Sequence, residues 1–192
     1  MRNAEMYLQL YLIRHGESMG NIETDEPFDK TNPPLTDHGK MQAKAVGERL
    51  SQLNSFTLYS SPLERAKETA AQISENMIID YDLLENGVRA TENGFEDYSE
   101  SAEECYQRAM KVIERIKENH RNHENVVLVA HGMFLNQLIK AALNIPYDAM
   151  RLSIYNASVT KINFCDSEPV KLALQNDVSH LKESDGEKLF WM

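Results

Sequence analysis

Tyr7-Leu8-Gln9-Leu10-Tyr11-Leu12-Ile13-Arg14-His15-Gly16-Glu17-Ser18 runs from β-forming, mostly apolar residues straight into a cation, an imidazole and a glycine. The part from Tyr7 to Ile13 is apolar on both alternating faces, the pattern of a strand buried inside a sheet. Arg14 and His15 then stand at the carboxyl end of that strand. Open α/β sheets bind their ligands at this edge.

The same arrangement recurs twice further along. Phe56 to Tyr59 is a short strand candidate that ends in Ser60-Ser61 and leads to Arg65. Val126 to Ala130 is a buried strand by composition and ends in His131-Gly132. If the three strands lie in one parallel sheet, two arginines, two histidines and small residues converge on one edge. That is a pocket for a dianion, and phosphate fits it. Each guanidinium can make bidentate, charge-assisted bonds to phosphoryl oxygens. Backbone N–H groups at a helix entered from Gly16 or Ser61 can add to them. An imidazole can attack phosphorus and become phosphorylated. Taken singly, each residue has a plainer reading as a satisfied structural histidine or a solvated arginine. Three strand ends with the same kind of residue favour a site.

The rest of the chain alternates helix and strand, which predicts an α/β domain with a mainly parallel sheet. Thr36 is placed to cap a helix from Asp37 to about Gln52, with Ala43, Val46, Leu50 and Leu53 on one face. Ser61-Pro62-Leu63-Glu64 reads as a capping box opening a helix to about Asn76. Ile78 to Tyr81 reads as a strand and residues 85–100 as loop. Ser101-x-x-Glu104 is a second capping box, for a helix to about His120. Gly132 leads into a helix through Leu143. Val159 to Phe164 and Val170 to Leu174 read as late strands, paired as a hairpin around Asp166 to Pro169.

The 192 residues predict one domain. With 42% hydrophobic and 26% charged residues the chain can build a core without staples. Its net charge of −10 argues against nucleic acid and anionic membrane surfaces as partners. No stretch is long enough to span a bilayer, and Met1-Arg2-Asn3-Ala4-Glu5 does not open a signal peptide. Cys105 and Cys165 are far apart and lack CxxC spacing, so they read as reduced structural thiols of a cytoplasmic protein. His120-x-x-His123 falls at a helix end and reads as a surface pair rather than a metal site. Residues 182–192 read as a mobile tail.

At these residues the sequence resembles the histidine phosphatase superfamily, which includes the cofactor-dependent phosphoglycerate mutases. The resemblance spans most of the chain. It is carried by Leu12-Ile13-Arg14-His15-Gly16-Glu17-Ser18 with Asn21, and by Leu35-Thr36 to Gly39 with Gln42-Ala43. Ser60-Ser61-Pro62-Leu63-x-Arg65-Ala66-x-x-Thr69-Ala70 and Val129-Ala130-His131-Gly132 extend it. Asn156-Ala157-Ser158-Val159-Thr160 and Asn176-Asp177-x-x-His180-Leu181 resemble the C-terminal pattern of its phosphatase branch. The resemblance implies a phosphoglycerate mutase-like, three-layer α/β/α sandwich.

It also implies roles. His15 would accept the phosphoryl group. Arg14, Arg65 and His131 would bind it, with Asn21 and Gly132 helping. Glu85 would be the general acid and base, with Glu92 and Glu96 competing for that role. No metal or other cofactor would be needed. The chain departs from the family after Glu85, where Gly94-Phe95-Glu96-Asp97 is only a poor echo of an aromatic-Glu-Gly segment. The next helix begins soon after, so residues 85–100 would form a reduced lid over a more open pocket. A phosphatase acting on a phosphorylated small molecule or a phosphoprotein is the first expectation. A mutase, which must keep water from the phosphohistidine, is the second. A non-catalytic module that binds phosphorylated ligands is the third.

Overall fold

The computed structural model describes residues 7–120, 124–165 and 168–181. In chain order the elements are β1 (Tyr7–Arg14), α1 (Asp37–Leu50), β2 (Thr57–Ser60), α2 (Glu64–Ala71), β3 (Ile78–Ile79), β4 (Val88–Thr91) and β5 (Gly94–Asp97). There follow α3 (Ala102–Asn119), β6 (Glu124–Ala130), α4 (Gly132–Ala142), β7 (Val159–Cys165) and β8 (Lys171–Asp177). Six strands form one sheet in the order β3-β2-β6-β1-β7-β8. The first four in that order run parallel, and β7 lies antiparallel to β1 with β8 hairpinned onto it.

The alternation of β1 divides the core. Leu8, Leu10 and Leu12 face α3 and α4, where they meet Val126, Leu128 and Phe134. Tyr11 and Ile13 face α1 and α2, where they meet Val46, Leu50, Ala66 and Ala70. A strand apolar on both faces therefore has a helical layer on each side, and the fold is a three-layer α/β/α sandwich with a mainly parallel sheet. Among the described residues no helix is long and apolar enough to cross a membrane.

The parallel register fixes where the polar strand ends emerge. Arg14 pairs with Ala130, and Ser60 pairs with Val129. His15, His131 and Ser61 consequently leave the sheet at one level.

Four local expectations are corrected by the structure. Ser61 caps no helix: α2 starts at Glu64 with Leu63 at its cap, and the Ser61 hydroxyl is spent on His131 instead. The Glu64 N–H is satisfied by Asn32 Oδ1 (2.7 Å) from a distant loop. Helix α2 also ends at Ala71, five residues before the expected Asn76. The polar stretch 85–100 is not simple loop, because β4 and β5 pair as a hairpin around Glu92-Asn93. Its turn is closed by Gly94 at φ +123, a conformation that suits glycine. Finally, His120 is buried and bonded to the Tyr59 hydroxyl and Glu124, so it is no surface residue. His123 lies outside the described residues, as do residues 182–192. The capping box at Ser101 and Glu104 does form, as does the Thr36 cap on Gly39 N–H.

Cys105 is a free thiol, and burial pushes it up to about 12.

The first turn of α1 is pressed against the loop after β1. A Cβ on Gly39 would overlap the Glu17 carbonyl oxygen, and one on Gly16 would overlap the Gly39 carbonyl oxygen. Both collisions are with backbone, which cannot swing aside. Gly39→Ala should therefore cost about 1–3 kcal/mol of stability through forced backbone movement. Urea unfolding read by circular dichroism measures this. An unchanged midpoint would show that the contact is looser than described.

Candidate active site

His15 follows β1 and is 3% exposed. Its Nδ1 lies 2.7 Å from the Gly16 carbonyl oxygen. A carbonyl only accepts, so this contact places the ring proton on Nδ1 and leaves a lone pair on Nε2. Arg65 Nε donates toward that Nε2 at 3.3 Å. Arg65 is supplied by the first turn of α2, which β2 delivers to the same sheet edge.

Arg14 lies on the other side. Its Nη1 donates to the Ile154 carbonyl (2.7 Å), which aims the guanidinium along the segment that precedes β7. His131 caps the transition from β6 to α4, with its ring centre 5.1 Å from that of His15. The Ser61 hydroxyl sits 2.7 Å from His131 Nε2 and accepts from Leu63 N–H. When the hydroxyl donates to Nε2, the His131 ring proton is on Nδ1 and points away from Ser61. Arg14 Nε, Arg65 Nη1 and His131 Nδ1 are buried and have no protein partner. Buried donors without partners are costly, and they are rare outside functional sites. Three of them beside one imidazole lone pair make a receptor for anionic oxygens.

Electrostatics sharpen this. Burial lowers the pKa of His15 well below its usual value, and the Arg14 and Arg65 charges lower it further. The same causes, burial first and Arg65 next, act on His131. Both rings are therefore neutral near pH 7. Burial also lowers both arginines, Arg65 to about 10, yet each remains a cation.

Glu85 lies on the rim, between the short 3₁₀ turn Tyr81–Leu83 and β4. Its carboxylate accepts from Phe134 N–H (2.9 Å) and Asn86 N–H (2.8 Å), and more weakly from Met133 N–H. It thus caps the start of α4 while facing the same cleft as Arg14 and Gly132. Glu92 and Glu96 are not brought there: Glu92 is at the hairpin turn, and Glu96 pairs with the exposed Arg89 (2.6 Å). Asn21 lines the cleft, but its Oδ1 is taken by Ser18 N–H, the Ser18 hydroxyl and Asn156 Nδ2. Only its amide nitrogen can turn to a ligand. Gly132 lies against the Arg14 guanidinium, where a Cβ would make close contact.

Several supporting residues carried no role in the sequence reading. Thr69 accepts from Gly16 N–H (3.0 Å) and donates to Arg65 O (2.8 Å), so one hydroxyl ties the His15 loop to α2. Asn156 Nδ2 donates to His15 O (3.1 Å). Ala157, at φ +56, turns its N–H onto the Arg14 and His15 carbonyls. Arg108 braces the Glu85 turn. It donates to Asp82 O (2.8 Å) and Leu84 O (2.9 Å) and pairs with Glu100, which is nearly buried. Glu100 in turn accepts from Asn86 Nδ2 and Gly87 N–H. Burial alone would raise the Glu100 pKa, but the Arg108 bonds and charge win and lower it. Thr69 and Asn156 sit inside the motif-bearing runs quoted above. Nothing local in the sequence marks Arg108.

A sequence model of the histidine phosphatase superfamily, branch 1, matches residues 10–92 and 85–177. The probable phosphoglycerate mutase GpmB of Salmonella typhi is 30% identical over 91% of this chain and 95% of its own length. Phosphoglycerate mutase-like protein 4 of Arabidopsis thaliana is 28% identical over 93% of this chain and 89% of its own. Among solved structures, Bacillus stearothermophilus YhfR superposes with a TM-score of 0.74 at 26% identity, over 91% of this chain and 100% of its own. A phosphoserine phosphatase from Entamoeba histolytica shares the fold, with a TM-score of 0.70 at 22% identity over 91% of this chain and 100% of its own.

The buried neutral rings predict a pH dependence of stability. In the unfolded chain a histidine titrates near 6.5, so below that pH the unfolded state binds more protons than the folded one. Stability should then fall as pH drops from about 7 to about 5. The slope should shrink in a His15→Asn, His131→Asn double variant. Ring ¹⁵N signals of both residues should stay those of neutral imidazole at about pH 6. Charged-ring signals there would contradict the assignment.

Proposed function

Because the chain belongs to the histidine phosphatase superfamily, we propose that it hydrolyses phosphomonoesters through a phosphohistidine on His15. The observation that carries this reading is the His15 Nε2 lone pair set among three buried donors without protein partners. Arg14, Arg65 and His131 take the phosphoryl oxygens and spread the charge of the transition state. The Nε2 lone pair attacks phosphorus, and the bond from phosphorus to the ester oxygen breaks. The proton of the bound ester monoanion passes through Glu85 to that oxygen, and the alcohol leaves. The phosphorylated ring is cationic, and its Nδ1–H remains on Gly16 O. Glu85, now a carboxylate, takes a proton from water, whose oxygen attacks phosphorus. Phosphate departs with that proton and the lone pair returns to Nε2, which leaves Glu85 a carboxylate. No step calls for a metal. The substrate is a phosphorylated small molecule or a phosphoprotein.

Water as the acceptor is favoured over a second phospho-acid by the lid. No residue of the β4–β5 hairpin lines the cleft, so that hairpin does not cover the path by which water reaches Glu85 on the rim. The likeness to relatives named as phosphoglycerate mutases favours the second reading, a phosphotransferase. Its mark would be delivery of phosphate to a sugar-acid acceptor in preference to water.

Hydrolysis of 4-nitrophenyl phosphate should proceed with EDTA present. It should fall by about 10⁴-fold or more in His15→Ala, since a nucleophile has no substitute. Glu85→Gln should lose about 10²–10⁴-fold and, with this good leaving group, should accumulate acid-labile phosphate on His15. Full activity in His15→Ala, or label on another residue, would sink the mechanism. Arg108→Gln, which unties the Glu85 turn, should lower kcat about tenfold while leaving inhibition by inorganic phosphate unchanged. An equal change in both would mean that Arg108 serves the phosphate clamp rather than Glu85.

A further inference from the structure

From the clamp, a cleft of about 1090 Å³ runs along α4 to the segment from Tyr147 to Tyr155. If the phosphoryl group occupies the clamp, the alcohol half of the ester has to lie in this cleft. Its far wall is unusually well anchored for a chain stretch without regular structure. Lys140, buried on α4, donates to the carbonyls of Tyr147 and Met150. Asn136, one turn earlier on α4, donates to Leu152 O at 2.7 Å. Arg14 of the clamp itself holds Ile154 O. Four carbonyls of one short segment are thereby pinned to the elements that build the clamp.

Arg151 sits between two of the pinned carbonyls, Met150 O and Leu152 O. Its backbone is held on both sides, while its side chain is exposed on the cleft wall. Among the described residues it has no ion-pair partner. Two of the other charges on this wall, Lys140 and Glu85, are already engaged, and Asp148 adds a negative charge to it. Lys140 is spent on carbonyls and feels the nearby charge of Asp148, while Glu85 caps α4 across the cleft. A buried lysine that fixes a loop next to an unpaired, solvent-facing arginine is an expensive way to present a surface charge, unless that charge meets something.

We propose, on the premise that the clamp holds the phosphoryl group of a monoester, that Arg151 reads a second anionic group on the alcohol half. The substrate class is then a phosphomonoester whose alcohol carries a carboxylate or a second phosphate, spaced from the ester oxygen by the length of the cleft. Arg151 acts in binding and selection. It donates no proton to the reaction and leaves the chemistry to His15 and Glu85.

Matched pairs test this. In n-butyl phosphate and 4-phosphooxybutanoate the alcohols differ by a methyl against a carboxylate, and the pair can be extended by one to three methylenes. At the best length the wild-type kcat/KM should favour the carboxylate about five- to tenfold, the range of a charge-assisted contact at a solvated rim. Arg151→Gln should bring the ratio to about one without changing kcat/KM for the alkyl ester. Arg151→Lys should retain part of the preference, since it keeps charge and loses the fork. The same ratios should appear as affinities in calorimetric titration of the His15→Ala protein, which holds the ester intact. A ratio near one at every length in both assays, or a preference that survives Arg151→Gln, overturns the proposal. Failure of wild-type turnover alone would remove the hydrolase reading, and the titration would still decide the role of Arg151.

Discussion

A neutral imidazole held between one buried and one half-buried arginine is the constraint on which the site turns. Were His15 protonated, Nε2 would have no lone pair, and three positive charges would share one desolvated pocket. Burial and the Arg14 and Arg65 fields both push the proton off. The Gly16 carbonyl decides which nitrogen keeps the remaining one. That carbonyl is itself placed by neighbours from three directions. Thr69 of α2 holds Gly16 N–H, the first turn of α1 packs on the Gly16 backbone, and Asn156 and Ala157 hold His15 O. The tautomer of one ring is thus a property of the whole sandwich.

Placing two arginines in a dry pocket with little opposing charge costs stability. Glu85 provides a distant, rim-side counter-charge, felt by both arginines. It does not neutralise them. On the proposed reading a phosphoryl dianion corrects the remaining imbalance, so the energy withheld from folding is returned on binding. The hydrophobic faces on either side of β1 make such a site tolerable, since both layers are fully packed around the strand that carries it.

Features that depend on a few neighbouring residues were legible in the sequence. The Thr36 cap and the Ser101–Glu104 box rest on contacts within about four positions, and the strand before His15 is marked by its own unbroken apolar run. The convergence of three strand ends also followed, because parallel order puts every carboxyl end on one edge. What was misread was decided at long range. Ser61 has the sequence signature of a helix cap, but His131, seventy positions away, takes its hydroxyl. The vacated role at α2 falls to Asn32, which no local rule would nominate. The β4–β5 hairpin is hard to read from the sequence because its strands are exposed on nearly every residue and show no apolar alternation. Its Asn93-Gly94 dipeptide was the available signal.

Clamp and cleft are built by different means, and this separates chemistry from selection. The clamp consists of strand ends and helix starts whose positions are set by the register of the sheet. Shifting any of them would disturb the core. The cleft wall from Tyr147 to Tyr155 is chain without regular structure, and it is held by side-chain donors rather than by a backbone ladder. Its residues can change without moving His15, provided that Lys140, Asn136 and Arg14 keep their carbonyls. Glu85 lies between the two regimes. Its carboxylate is fixed by the start of α4, which belongs to the core. The turn that delivers it hangs on Arg108 and Glu100, which belong to the surface layer. On the proposed reading His15 and Glu85 keep the chemistry while the outer wall can be rewritten for new alcohols. In this chain the residue that such rewriting has left facing the cleft with charge to spare is Arg151.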